Sequence, residues 1–368
     1  LGPHPAPPGW PPPSDLTEYT AVLHVHSRYS HDGRGTVEEI AAAAHRAGVR
    51  VVFLTDHNTL APLQEDQERW YGPTLVLVGA EITTGSGYLL LLDPRPDLPV
   101  RARGYALDDL VRRYREAGAI VLLAHPEHTR LGWRGEWPPI DGLEVIDVFD
   151  QLVGATLGRQ ILGLLAYPAN PVMAVLSMAH WPRPVMARWD ALAMVRPTVG
   201  VLALDAHGGV ALTEESNLNF PSHETAFRMG RLHFVTTEPL GEDRADRTRV
   251  YRAFRAGRFY NAFDGFAPAQ GFRFHLLRGS QRILMGETVT ASTDLALEAR
   301  VPPLGSPVVR VMRDGEVLHE ATGHAPLRLP IPGPGVYRVE VDLRLNLFPL
   351  GGTRAMPWIF SNPIYVRP

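Results

Sequence analysis

The chain has 368 residues, 45% of them hydrophobic and 20% charged, which is room for two or three domains at roughly 150 residues each. A net charge of −3 excludes a strongly basic nucleic-acid binder and gives no support for a polybasic membrane anchor, and no apolar run is long enough to span a bilayer. Cysteine is absent and all 36 basic residues are arginine, which excludes disulfides, thiolate metal sites, a cysteine nucleophile, a lysine Schiff base and a carboxylated-lysine metal bridge.

The chain opens without Met on LGPHPAPPGWPPP. Residues 1–18 read as an extended or disordered leader, compatible with a removed export signal and otherwise with a cytoplasmic protein. From Tyr19 strands alternate with helices. Ala21–His26 is a predicted strand. A helix follows, with Thr36 and Glu39 in capping-box spacing and Gly48 at its end. Val49–Thr55 and Thr74–Ile82 read as buried strands, Ala106–Ala117 as an amphipathic helix, and Ala119–Ala124 and Gly142–Val148 as strands. Gln151–Met194 is an apolar helical insertion broken at Pro168, Pro171, Pro182 and Pro184. Its Leu, Met and Trp residues suit a cap with its own small core, or a lid over an apolar leaving group. Thr198–Leu204 is a further strand and Tyr251–Arg258 the last helix. This alternation predicts a parallel sheet or a β/α barrel over 19–265.

After about Phe266 short strands take over: Phe272–Leu277, Leu295–Ala299, Val308–Arg313, Glu316–His319 and Val336–Val341. Asp314-Gly315 between two of them is a hairpin turn. Residues 266–368 are therefore predicted to form a small all-β sandwich.

The chemistry-bearing residues stand where the predicted strands end. His24 and His26 alternate on one strand, so both face one side. His31 and Asp32 follow in the next loop. Asp56 and His57, Glu81, His125, and Asp205 with His207 close later strands. In a β/α barrel those ends converge on one face. Histidines and carboxylates without thiols suit two or three divalent ions such as zinc, manganese or iron, and a carboxylate such as Glu81 has two oxygens with which to bridge a pair of them. The predicted reaction is hydrolysis of an ester-type bond in a small-molecule substrate by a metal-bound hydroxide. His128 and His223 are candidates for the acid that protonates the leaving group, and Arg28, Arg34, Arg130 and Arg134 for a phosphate clamp.

The series HVHSRYSHDG, TDHN, GAE, AHP and DAH resembles the PHP (polymerase and histidinol phosphatase) family. The resemblance implies a distorted, TIM-like β/α barrel with a dinuclear or trinuclear metal centre. It implies that His24, His26, Glu81 and Asp205 hold one ion, and that Glu81 and His125 hold a second. Asp32 or His31, with His57 and His207, would hold a third, and Asp56 would support His57 or the metal water. The C-terminal stretches, including PWIFSNPIYV, resemble the CehA/McbA branch, which joins that barrel to an immunoglobulin-like sandwich and has members that hydrolyse the carbamate carbaryl. One position departs: Tyr88 stands where many relatives place a further histidine. An amidohydrolase barrel also opens with HxH, but TDHN and DAH fit it less well. The alternative from another class is a metal-stabilised binding module whose sandwich docks a partner or polysaccharide.

Overall fold

A computed structural model describes residues 15–126, 128, 131–211, 217, 218, 221–348 and 352–368; residues 1–14 and Arg130 lie outside the described residues. The strand Val51–Leu54 reads Val-Val-Phe-Leu and is buried throughout, as a run with both faces covered must be. It pairs in parallel with Thr17–Val25 and with Thr74–Val78. The helix Val37–Ala47 connects the first two of these strands. Its capping box is complete: Thr36 N donates to Glu39 Oε2 (2.8 Å) and Glu39 N to Thr36 Oγ1 (3.2 Å). Gly48, at φ 77°, ends it in the left-handed region.

The predicted strand Thr74–Ile82 is two strands in two sheets. At Gly79 a Cβ would sit 2.4 Å from Leu91 O, so only glycine lets the chain pass so close to its neighbour. Beyond it Ala80–Thr83 pairs antiparallel with Tyr88–Leu92 and starts a five-stranded sheet that continues through Ile120–Ala124, Gly142–Asp147 and Val199–Ala203. This sheet meets the long sheet at two bridges, Val25 with Ala206 and His57 with Glu81. Its last strand is not left open. Asn261 Oδ1 accepts from Leu202 N (2.8 Å) and Asn362 Oδ1 from Gly200 N (2.9 Å), so side chains of the long sheet satisfy its backbone.

The insertion folds as helices Val148–Val153, Leu157–Ala166, Pro171–Leu176 and Arg183–Val195. Pro171 and Pro184 fall in first turns, where a missing N–H costs little. The last helix is bolted to the strand Gly335–Asn346. Asp190 receives both arms of Arg338 at 2.7 Å, and Glu340 joins Arg338 to Arg183. Trp181 Nε1 donates to Asp342 Oδ1 at 2.6 Å.

The C-terminal strands form as predicted, and Asp314 (φ 52°) and Gly315 (φ 86°) make the hairpin turn. The helix predicted at Tyr251–Arg258 runs instead from Ala245 to Arg255, because Ala256-Gly257 turn the chain into the strand Phe259–Ala262. That strand pairs with Thr353–Ser361, so the twelve-stranded sheet runs without a break into the C-terminal part. A four-stranded sheet (Gln281–Leu284, Arg273–Arg278, Leu295–Arg300, Leu327–Pro330) packs against its far end over a core that includes Phe274, Leu297, Val339 and Trp358.

The leader prediction extends too far. Thr17 and Glu18 belong to the first strand, and Glu18 is buried because it has partners to satisfy it. It accepts from His233 Nδ1 (2.9 Å), Tyr260 Oη (2.6 Å) and Arg273 Nη1 (2.6 Å). His233 Nε2 faces Asp264 at 3.0 Å. Burial alone would lower the His233 pKa, but Asp264 and Glu18 push it up to about 9. A folded-state value above the ordinary 6.5 or so means that this pairing stabilises fully below pH 6.5 and is lost as the pH rises to 9. The effect is on the order of 3 kcal/mol. Melting temperature should therefore fall from pH 6.5 to 9 in the wild-type chain and stay flatter in His233→Gln; parallel profiles would show that His233 is not a buried cation.

Candidate metal centre

Around the cluster, three residues other than glycine at strand ends lie in the left-handed region: His24 (φ 65°), His125 (φ 48°) and Asp205 (φ 47°). Each such residue costs on the order of 1 kcal/mol and persists only where the surroundings over-determine it. These three carry ligand atoms within 4.8 Å of one another. At His24 the twist is a bulge, where the register with Val51–Leu54 slips between Leu23 and Val25. Simple alternation therefore does not bring His24 and His26 together; a bulge does.

Their Nε2 atoms converge on the same two carboxylates. His24 Nε2 lies 3.2 Å from Glu81 Oε2 and 3.4 Å from Asp205 Oδ1, and His26 Nε2 lies 3.4 Å and 3.2 Å from the same atoms. A second group forms around Asp32 Oδ2, with His57 Nε2 at 3.2 Å and His207 Nε2 at 3.4 Å. Glu81 ties everything together. Its Oε2 also lies 3.0 Å from His57 Nδ1, and its Oε1 lies 3.5 Å from His125 Nε2. His31 stays outside. Its side chain is 78% exposed, with Nε2 3.6 Å from Asp32 Oδ2 alone, so of the two alternatives the structure brings Asp32 into the cluster.

The ring nitrogens that face away from the cluster are held by partners the sequence reading missed. Glu144 Oε1 sits 2.6 Å from His24 Nδ1, and its Oε2 accepts from His125 N at 2.8 Å. Asp150 holds His125 Nδ1 at 3.0 Å. Ser30 Oγ lies 3.0 Å from His26 Nδ1 and accepts from His57 N at 2.8 Å. Such contacts fix the tautomer and aim the other nitrogen at a metal. A signal for Glu144 existed: Gly142–Asp147 is a buried apolar run carrying two acids, and a buried carboxylate needs a partner.

The charge balance invites cations. Burial would raise the Asp32 pKa, but His207 and His57 hold it well below the carboxylate range. Burial likewise opposes ionisation of Glu81, and His24 and His125 outweigh it. Burial would lower His207, yet Asp205 and Asp32 push it up to about 8. Burial, then Asp150 and Glu144, drive Asp147 far above the carboxylate range. His24 Nε2, His26 Nε2 and both Glu81 oxygens are buried without a hydrogen bond. Such orphans cost about 1–3 kcal/mol each when nothing meets them. All four belong to the converging set, so the residues present fit divalent ions bound by nitrogen and oxygen.

Residues 23–146 match the PHP domain. An uncharacterised protein of Methanocaldococcus jannaschii is 31% identical over 144 residues, covering 35% of this chain and 82% of its own length. This chain belongs to the PHP-domain family. Among solved structures, a two-domain protein of Bacteroides vulgatus containing a predicted PHP-like metal-dependent phosphoesterase is similar at 15% identity and TM-score 0.45, over 94% of this chain and 96% of that one. An amidohydrolase of Chromobacterium violaceum, with bound sulfate and no metal, reaches TM-score 0.32 at 15% identity, over 51% of this chain and 87% of its own. At those scores neither bears on the chemistry. The PHP match and the His/Asp/Glu clusters together support a metal-dependent hydrolase.

The other candidates at the PHP centre take different roles from those expected. Asp56 spends both oxygens on Ser27, accepting from its N at 2.7 Å and its Oγ at 2.8 Å. It clamps the loop after the first strand rather than supporting His57 or a water. His223 is no acid for a leaving group. It is buried against Gly208 with Nε2 donating to His26 O (3.0 Å), and burial pushes its pKa down to about 4, so it is neutral and holds the His26 backbone. His128 lies behind His125, its Nδ1 accepting from Leu131 N at 2.9 Å, and does not line the cavity. Tyr88 does line it, with its ring 5.9 Å from His125 and 6.3 Å from His57.

The cavity above the PHP cluster is about 540 Å³. Asp32, His57, Glu81, His125, Asp205 and His207 form one side, and Phe149, Leu152, Val175, Leu204 and Met229 an apolar wall. Leu152 and Val175 come from the helical insertion, whose Trp189 is instead core. Arg34 also lines the cavity. Its backbone N is fixed on His207 O (3.0 Å), and its Nε is buried without a hydrogen bond. Arg28 lies over Tyr29, and Arg134 is exposed with its N on Ser86 O.

Glu144→Gln should keep the fold and weaken zinc or manganese binding about 10- to 100-fold by isothermal titration, whereas Glu81→Ala should abolish stoichiometric binding. Unchanged affinity in Glu144→Gln would detach that residue from the centre.

Proposed function

We propose that this chain hydrolyses a phosphoester at a centre of two divalent ions. The observation that carries the ester type is Arg34, a guanidinium on the cavity wall that no carboxylate pairs with among the described residues. A charge placed there without a partner is costly, and an anionic substrate removes that cost. A guanidinium also matches two phosphoryl oxygens at once.

His24, His26, Glu81 and Asp205 would hold one ion, and Asp32, His57 and His207 the other. The position between Glu81 Oε1 and His125 shares its other neighbouring ligands, His24 and Asp205, with the first ion and has the Tyr88 ring beside it, so it is the weakest of the three. Ions bound in these places supply Lewis acidity, polarising the ester oxygen and lowering the pKa of a water towards 7. The chain's residues do the rest. Glu144, Asp150 and Ser30 keep the imidazoles aimed, Arg34 orients the phosphoryl group, and Phe149, Leu152 and Met229 exclude water around the leaving group. On the same reading, the two sheets meeting at the Val25–Ala206 and His57–Glu81 bridges act as a distorted β/α barrel over 19–265 that carries this chemistry, with 266–368 as a sheet-rich support. The apolar wall favours a second reading, a carbamate or aryl ester.

Elemental analysis of the loaded protein should give two ions per chain, and three would assign a full ligand set to the His125 position. p-Nitrophenyl phosphate should be hydrolysed in a chelator-sensitive way. Arg34→Gln should lower kcat/KM for it by roughly 10- to 100-fold, the size of a lost charge-assisted contact. Turnover of 1-naphthyl N-methylcarbamate alone would transfer the assignment to the second reading.

A further inference from the structure

The helical insertion has an outer face that hydrolysis does not use. The helix Leu157–Ala166 packs on Pro171–Leu176 through Gly163, where a Cβ would lie 3.2 Å from Ala174 O. Its apolar stripe points away from that contact. Leu157, Ile161, Leu164 and Leu165, at i, i+4, i+7 and i+8, are 71, 50, 63 and 73% exposed. An amphipathic helix normally turns such a stripe inwards. Phe348 is 83% exposed, and it follows Leu347, which is buried in the same core as Val175 and Leu176. The Arg159 guanidinium donates to Ser177 O, and Arg354 lies within electrostatic range of it. An exposed apolar stripe of this length marks an interaction surface.

Charge says what kind. Residues 151–189 contain no Asp or Glu, and neither do residues 343–368, in a chain with 39 acids. A net charge of −3 for the whole molecule hides two long segments whose formal charges are all arginine. A two-fold contact with a second copy would set Arg159 and Arg354 against the same arginines, with no carboxylate from either segment to pair them. A surface of lipid phosphates pairs them and also accepts the leucines. Among the described residues no helix is long and apolar enough to cross a membrane; an exposed stripe on a ten-residue helix suits a contact in the plane of the surface.

We propose that the exposed face of the helix Leu157–Ala166 docks this protein peripherally on an anionic lipid bilayer. The same insertion contributes Leu152 and Val175 to the cavity, so docking sets the apolar wall of the site next to the lipid-facing cap.

The test is cosedimentation of the full-length chain with phosphatidylcholine vesicles, made with or without phosphatidylglycerol. Partitioning should be at least about tenfold stronger on the anionic vesicles and should weaken in high salt. Leu164→Glu/Leu165→Glu should lose binding about tenfold, and Arg354→Gln should lose most of the preference for anionic lipid. All three side chains are exposed, so melting temperature should not change. Equal, weak pelleting of wild type and variants on both vesicles overturns the proposal. So does a wild-type dimer in light scattering that Leu164→Glu/Leu165→Glu converts to monomer without vesicle binding, which assigns the face to a second copy. Vesicle binding is read without turnover, so its failure is distinct from a failure of the hydrolase reading.

Discussion

The Glu81 carboxylate is the constraint on which the rest of the site depends. It is buried, without a hydrogen bond, and within 3.5 Å of nitrogens from four histidines at the ends of three strands. A carboxylate in that position is tolerable only if positive charge is shared around it. The bulge at His24, the left-handed backbone at His125 and Asp205, and the Asp56 clamp on Ser27 all serve to bring that charge within reach. Glu144 then does two jobs with one side chain, aiming His24 and holding the His125 backbone. Local strain at the strand ends is thus an organised cost, offset where the ligand atoms meet.

Much of the centre was legible in the sequence because its residues sit at strand ends, where pattern breaks are visible. His24, His26, His57, Glu81, His125, Asp205 and His207 could be found that way, and Asp32 could be narrowed to a pair with His31. The partners behind them could not. Glu144 and Asp150 belong to no motif, and their role exists only once Gly142–Asp147 lies beside Ile120–Ala124. The place of His223 is hidden from the sequence for a related reason. Its distinguishing property is burial under Gly208, which depends on packing rather than on spacing. The helix Val37–Ala47 was readable because a capping box is a local device. The split at Gly79 was not, since the carbonyl that demands glycine there belongs to Leu91, in another strand.

The insertion and the C-terminal part form one mechanical unit. Arg338 is buried between Asp190 and Glu340 while lying over Trp189, and Arg183 and Trp181 add further ties to the same strand. Removing one member of such a set leaves a buried charge unmatched, so the helix Arg183–Val195 is held firmly against that strand.

Continuity of the long sheet has a consequence for how the chain is made. Tyr260 pairs with Ser361 and Ala262 with Ile359, so the outer edge of the strand Phe259–Ala262 stays bare until residues 359–361 have been synthesised. Asn362, which also caps the Val199–Ala203 strand, emerges just as late. A nascent chain must therefore carry an open sheet edge through about a hundred further residues of translation, a span in which strand-to-strand association with other chains competes with completion.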